Sequence, residues 1–403
     1  MTAHPAITAP TAALTPDFID EIRAGAAKRD AERILPHAII DRMKRARFGA
    51  GYLPTAFGGR GESFVATIPQ IIDLASADPN VAHIWRNHFL MLQRLRSYRG
   101  GAPHIDFLFG EVAAGKLLSL AGTELTRAQT GGASPFEATF LPQGADFVTN
   151  GRKFYSTGVI YADYVQSVAT TPEGVNTGFI VPRTRAGVQV LDDWTGMGQR
   201  LTGTGTTIFD NVTVRAAEVM DNAVFAPESH ALASTVAQLV LTAVIAGILD
   251  EIARDSAALI RSRSRTYYFA PHECASQDPI LLQQLGEREA EAFAARAVIL
   301  AAAAAIDRAD HALNTGAPEA DALAQEAAAD AAKAKVITDR LAHAAGTALF
   351  DVAGASSTLR ERNLDRHWRN LRTVSSHNPA SYKAYALGNR TLNGADIPRL
   401  GFF

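Results

Sequence analysis

The side chains able to do acid–base or anion-binding chemistry fall into a few groupings. His377 precedes Asn378 and Pro379, and proline steers the residue before it away from helical angles. A histidine in such a turn can present a ring nitrogen to a site and titrate near neutrality; a lone one equally serves as a cap or surface residue. Arg261, Arg263 and Arg265 alternate just before Tyr267 and Tyr268. Guanidinium forks suit a phosphate, whereas charge at a helix C-terminus explains one arginine more readily than three. Arg366, Arg369 and Arg372 recur every third residue. That spacing predicts a shared helical face, completing a phosphate site or bridging subunits, roles equally open to Asp365 and His367. Tyr155, Ser156 and Thr157 follow Asn150-Gly151, a tight-turn signal, so an ordinary β-hairpin also accounts for them. Gln199, Arg200, Thr202 and Thr204 lie in a glycine-rich stretch. Gly196 and Gly198 invite comparison with a dinucleotide-binding loop, but no strand–turn–helix unit surrounds them and that reading is rejected. Cys274 is the single cysteine, which excludes an intramolecular disulfide and a cysteine-rich zinc site; no metal centre is expected.

Elements must position these groups, and 403 residues allow two or three domains or layers. The chain is 47% hydrophobic and 20% charged with a formal charge of −2, which excludes a disordered chain and a highly basic nucleic-acid binder. The first 15 residues lack a basic region followed by an apolar run, so no signal peptide is expected. The most apolar stretch, 232–252, contains Ser234, Thr235, Gln238 and Thr242 and reads as a buried helix, not a membrane span. A cytoplasmic protein follows. Helical signals occupy 16–115, with runs over 16–41, from Thr67, and over 81–96, interrupted by a turn-rich loop at 52–61. Short alternating runs at 147–149, 153–155, 164–169, 177–181, 188–191 and 206–214 predict an antiparallel barrel or sandwich, with Asn150-Gly151 turning a hairpin. Four alanine-rich helices follow, near 230–262, 279–311, 317–349 and 379–387, and alanine faces favour a closely packed bundle. The predicted domains are 1–118, 119–225 and 226–403.

This α+β order resembles the acyl-CoA dehydrogenase superfamily. The loop at 53–61, NGRKFYSTG at 150–158, and DDWTGMGQRLTGTGTTIFDNVTV at 192–214 are similar to its early glycine loop, its flavin-facing hairpin and its glycine–arginine segment. DRHWRNLRTVSSHNP at 365–379 resembles the flavin-dependent monooxygenase branch, which includes dibenzothiophene and dimethylsulfone monooxygenases and amine N-hydroxylases. The resemblance implies an N-terminal helical domain, a central antiparallel β-barrel and a C-terminal four-helix bundle. It also implies reduced FMN from a separate reductase (FAD being the alternative), dioxygen, and a peroxyflavin that oxygenates a small organic substrate at sulfur, nitrogen or aromatic carbon. Tyr155, Ser156 and Thr157 would hold the flavin, with Ser156 also at the chemistry. Arg200, Arg263, Arg265 and Arg369 would meet its phosphate. His377 and His88, the latter matching the branch's His-Phe pair, would stand at the oxygen-transfer centre, although Val374 replaces a second histidine found in some relatives. A homotetramer without nucleic-acid or membrane partners is implied, and near-neutral composition suggests a neutral substrate.

Two alternatives stand beside this reading. An FAD-dependent acyl-CoA dehydrogenase needs a positioned carboxylate to remove a proton next to a thioester. The turn at 373–379 has none, so Asp250 or Glu251 would have to serve. A non-catalytic helical assembly protein could keep the same fold.

Overall fold

The computed structural model describes residues 14–100, 102–125, 134–226, 229–399 and 403; the signal-peptide expectation falls mostly outside them. Helix α1 (Pro16–Glu32) starts on the Thr15 side chain, which accepts from the Phe18 amide, and ends at Arg33 in a left-handed conformation. Pro36 separates it from α2 (His37–Arg45), so the run read over 16–41 is two helices; proline lacks an N–H and disfavours helix in the residue before it. Helix α3 (Phe64–Ala77) is capped by Ser63 and by Asp307 from the C-terminal region, whose carboxylate accepts from the Phe64 and Val65 amides at 2.7 and 2.9 Å. The run at 81–96 divides at Trp85 into α4 (Pro79–Ile84) and α5 (Arg86–Arg96), and α6 (Pro103–Ala113) follows.

Among the described residues, eight strands form one sheet: β1 (Leu118–Ala121), β2 (Thr139–Gln143), β3 (Asp146–Lys153), β4 (Tyr164–Thr170), β5 (Asn176–Pro182), β6 (Val188–Val190), β7 (Thr207–Val214) and β8 (Val219–Met220). Their order is β6-β7-β3-β2-β4-β5-β8, with β1 beside β4. Most pairs are antiparallel, but β1–β4 and β2–β4 run parallel, so the sheet is mixed where an antiparallel barrel was expected. Asn150-Gly151 does not turn the hairpin. It lies inside β3 at a bulge against β7, where Asn150 Nδ2 donates to Asn211 Oδ1, the Asn211 amide donates to Asn150 Oδ1, and Asn211 takes φ 49°. The reversal falls instead at Gly144-Ala145, with Gly144 at φ 64°, the glycine-first arrangement of a tight hairpin.

The C-terminal region is built from α7 (Ser229–Ser262), α8 (Pro279–Thr315), α9 (Ala320–Ala353), α10 (Asp365–Ser375) and α11 (Ala380–Asn393). Helix α7 is long and apolar enough to cross a membrane, yet its most apolar window is wholly buried. It packs against α3 so closely that a side chain at Gly247 would lie 2.4 Å from the Ile72 carbonyl oxygen. The N-terminal helices and the bundle therefore share one hydrophobic core, from Phe18 to Val374, while the sheet keeps its own core around Phe140, Phe179 and Phe209.

Candidate functional site

The loop leaving β3 meets α4, α5 and the 199–205 segment in a network of buried polar groups. Tyr155 takes φ 55°. Gly158, at φ 82°, is held so tightly that a Cβ would lie 2.7 Å from the Ile84 carbonyl oxygen. Backbone amides of Ser156 and Gly158 donate to the carbonyls of Gly205 and Thr202. The Thr157 carbonyl accepts from Ser119 Oγ at 2.7 Å and Asn87 Nδ2 at 3.1 Å. Gln199, at φ 51°, is pinned by Asn370, whose side-chain oxygen accepts from its amide at 2.7 Å.

Hydroxyl bookkeeping separates Ser156 from Thr157. Thr202 Oγ1 donates to the Gln199 carbonyl at 2.9 Å and contacts Thr204 Oγ1, which lies 2.8 Å from Thr157 Oγ1. Each hydroxyl has one hydrogen, so Thr204 must donate to Thr202 and Thr157 to Thr204. The Thr157 proton is committed. Ser156 Oγ is fully buried with no hydrogen-bond partner among the described residues. A buried hydroxyl left in this state costs desolvation energy, and an external acceptor would recover it. Tyr155, 50% exposed, lies beside Phe154 and edge-on to Trp194.

His83, Arg86 and His377 gather next to this loop. His83 Nδ1 lies 3.0 Å from Gln199 Oε1. An amide oxygen only accepts, so Nδ1 carries the hydrogen and buried Nε2 is a bare acceptor without a partner among the described residues. Burial, reinforced by Arg86, pulls the His83 pKa down to about 4. His377, half-buried in the turn between α10 and α11, is held well below the ordinary histidine value by burial, then by Arg86, His83, Lys335 and Lys383. Asn378 beside it donates to Gln238 of α7. The sequence reading missed Arg86, although a charge inside the apolar run 81–96 is a signal. It also missed Asn87, Ser119 and Asn370, whose polar side chains carry no distinguishing spacing.

The other candidate residues are placed elsewhere or engaged otherwise. His88 is fully buried: its Nδ1 accepts from the Leu118 amide at 3.1 Å, and its Nε2 edge faces Gly49 so closely that a Cβ there would lie 2.1 Å away. That bond docks α5 onto β1, and His88 Nε2 is buried without a hydrogen-bond partner among the described residues. Arg200 and Arg369, expected at flavin phosphate, both converge on Asp30 of α1: Arg200 donates to its carbonyl at 2.7 Å and Arg369 to its carboxylate at 2.7 Å. Arg369 also binds Asp365 and the Met197 carbonyl. The three α10 arginines fan out toward Asp255, Asp30 and His343, because three residues advance a helix about 300°, not a full turn. Arg263 donates to the Val352 carbonyl at 2.7 Å, and Arg265 is exposed. Asp250 pairs with Arg296 and Glu251 with Arg23, each at 3.0 Å. Cys274 is exposed, and no group of metal-ligating side chains occurs among the described residues.

A family profile described as the acyl-CoA dehydrogenase C-terminal domain matches residues 239–382, from α7 through the His377 turn. A probable FMNH2-dependent monooxygenase of Pseudomonas putida is 27% identical over 395 residues, covering 95% of each chain. The structure of methanesulfinate monooxygenase from Pseudomonas fluorescens superposes with a TM-score of 0.86 at 26% identity, covering 97% of this chain and 100% of that one. Residues 239–382 thus carry an acyl-CoA dehydrogenase C-terminal domain, and over nearly its whole length the chain is similar to flavin-dependent monooxygenases of that superfamily. A second structure of this branch, the dibenzothiophene monooxygenase of a Paenibacillus species in complex with FMN and indole, gives a TM-score of 0.86 at 26% identity over 96% of this chain and 97% of that one. The acyl-CoA dehydrogenase-like fold thus extends beyond the profile match to the N-terminal helices and the sheet that carry Arg86 and Ser156.

Proposed function

We propose that this monooxygenase receives reduced FMN from a separate flavin reductase and places one oxygen atom of dioxygen on a small organic substrate, at sulfur, nitrogen or an electron-rich carbon. FMN is the flavin named with its relatives. The observation that carries the reading is the buried Ser156 hydroxyl, without a partner among the described residues, beside a Thr157 whose hydroxyl and carbonyl are both engaged. That arrangement fits a flavin ring nitrogen or carbonyl as the missing acceptor. Reduced FMN supplies the two electrons that activate dioxygen, and the net reaction converts substrate, dioxygen and FMNH2 into oxygenated substrate, FMN and water.

The chain's residues orient and protect. Ser156 donates to the flavin, Tyr155 offers an aromatic face, and the Thr157–Thr204–Thr202 series holds the loop. His83 and His377, both held below the ordinary histidine value chiefly by burial, are neutral at pH 7 and accept a hydrogen bond without adding charge. Packed helices exclude water, which would otherwise divert the reaction to hydrogen peroxide. For the flavin phosphate, Arg265 is the sequence-derived arginine with the fewest commitments, and a neighbouring subunit of a tetramer would bring it to the site. Tyr267, Tyr268, Phe269 and Phe293 are 66–83% exposed, surface that such an assembly would cover.

The dehydrogenase alternative is disfavoured because Asp250 and Glu251 are both ion-paired. The test supplies NADH, a flavin reductase, FMN and a panel of sulfides, sulfinates, amines and indoles. The proposal expects product carrying one atom from labelled dioxygen. A protein that purifies yellow and is bleached by an acyl-CoA would replace this reading with the dehydrogenase.

A further inference from the structure

Arg86 opens α5 with its guanidinium 92% buried by residue, since only 8% remains exposed. Its hydrogen bonds are both to neutral oxygens: Nε donates to the Ala237 carbonyl at 3.3 Å and Nη1 to Asn87 Oδ1 at 3.1 Å. No carboxylate among the described residues pairs with it. Arg96, Lys153 and Lys335, by contrast, are paired with Asp310, Glu124 and Asp339. Buried charges are ordinarily paired, because removing an ion from water without a counter-charge is costly.

The groups around it do not supply that counter-charge. His83 presents a bare nitrogen, and His377, on which Arg86 acts, is lowered chiefly by burial and stays neutral. Burial alone pulls the Arg86 pKa to about 10, leaving it charged at neutral pH. Asn87, which shares a hydrogen bond with Arg86, also donates to the Thr157 carbonyl. Arg86 is therefore one residue removed from the loop that carries Ser156.

We infer that Arg86 is the anchor for an anionic oxygen group on the substrate, so that this enzyme takes small organic oxyanions such as sulfinates in preference to neutral compounds. This replaces the neutral substrate suggested by overall composition, which averages over a surface the site does not sample. It rests on the monooxygenase reading for its location beside the flavin loop. A guanidinium fork meets two oxygens of one anion, which would leave the oxidisable atom of the bound molecule one bond from the anchored oxygens. His83 Nε2 then accepts from a hydroxyl or water on the same ligand.

The test compares molecules that differ by one oxygen anion for one methyl group. Benzenesulfonate and methyl phenyl sulfone are titrated calorimetrically into the FMN-loaded wild-type enzyme and into R86Q and R86K. The expected result is at least tenfold tighter binding of the sulfonate by wild type. R86Q should lose that preference, R86K should keep part of it, and FMN affinity should stay within about threefold. Equal or tighter binding of the sulfone, or no binding of either probe, overturns the proposal. So does R86Q that keeps the anion preference, or that loses FMN instead, which would assign Arg86 to the flavin. The wild-type comparison stands even if a variant fails to fold. Turnover of benzenesulfinate against methyl phenyl sulfoxide is measured in parallel: labelled oxygen in a product without an anion preference sinks only this inference. Failure to bind or use FMN sinks the monooxygenase reading itself.

Discussion

Ser156→Ala separates a ligand-directed hydroxyl from a structural one. Ser156 Oγ is buried and makes no hydrogen bond among the described residues. Removing it forfeits no internal bond and relieves part of a desolvation cost of about 1–3 kcal/mol. The small void left by one oxygen offsets some of that gain. S156A should therefore be as stable as wild type or more stable by roughly 1 kcal/mol. With flavin present the sign reverses. One lost hydrogen bond is worth roughly 0.5–1.5 kcal/mol, about a two- to twelvefold weaker FMN affinity at about 1.4 kcal/mol per decade. Thr157→Val is the control: Thr157 donates to Thr204, so its loss should lower stability by roughly 1–2 kcal/mol before any flavin is added. Denaturant unfolding with and without FMN, together with fluorescence titration of FMN, reads both quantities. S156A that is destabilised by more than about 1 kcal/mol, or that binds FMN as wild type does, refutes the reasoning.

Other outcomes follow from the same geometry. Arg369→Ala should cost about 3 kcal/mol of stability, because it leaves the buried Asp30 carboxylate without its arginine, while FMN affinity stays at the wild-type value; a selective loss of FMN binding would restore Arg369 to the phosphate site. Glu251→Gln should leave coupled oxygenation intact and lower stability modestly through Arg23, whereas abolished turnover would revive the dehydrogenase reading. Acid should destabilise the fold between pH 6.5 and about 4. His83, His88 and His367 have folded-state values of about 4, lowered chiefly by burial. In that window the unfolded chain binds more protons, so stability falls as pH falls. His88→Gln should flatten that dependence in pH-resolved unfolding, and an unchanged slope would contradict the buried neutral assignment.

Much of the architecture was legible because it rests on local rules. Alanine-rich periodicity located α7, α8 and α9 to within a few residues, and Asn378-Pro379 marked the turn that carries His377. Failures came where a distant partner decides the outcome. Asn150-Gly151 reads as a turn until Asn211 of β7 engages it at a bulge. The every-third-residue arginines suggest one phosphate site, but Arg369 meets Asp30 across 339 residues of sequence. The protonation order from Thr157 to Thr202 depends on the loop after β3 meeting the 199–205 segment. No spacing rule encodes such a convergence.

The central claim is that the buried polar loop after β3 serves oxygen activation by reduced FMN. Rapid mixing of the anaerobic protein–FMNH2 complex with oxygenated buffer tests it most directly. The account predicts an oxygen-dependent absorbance distinct from both reduced and oxidised FMN, lasting longer than in free solution and decaying faster when an oxidisable substrate is present. Direct conversion to oxidised FMN at the rate of free FMNH2, with stoichiometric hydrogen peroxide and no effect of substrate, would contradict it.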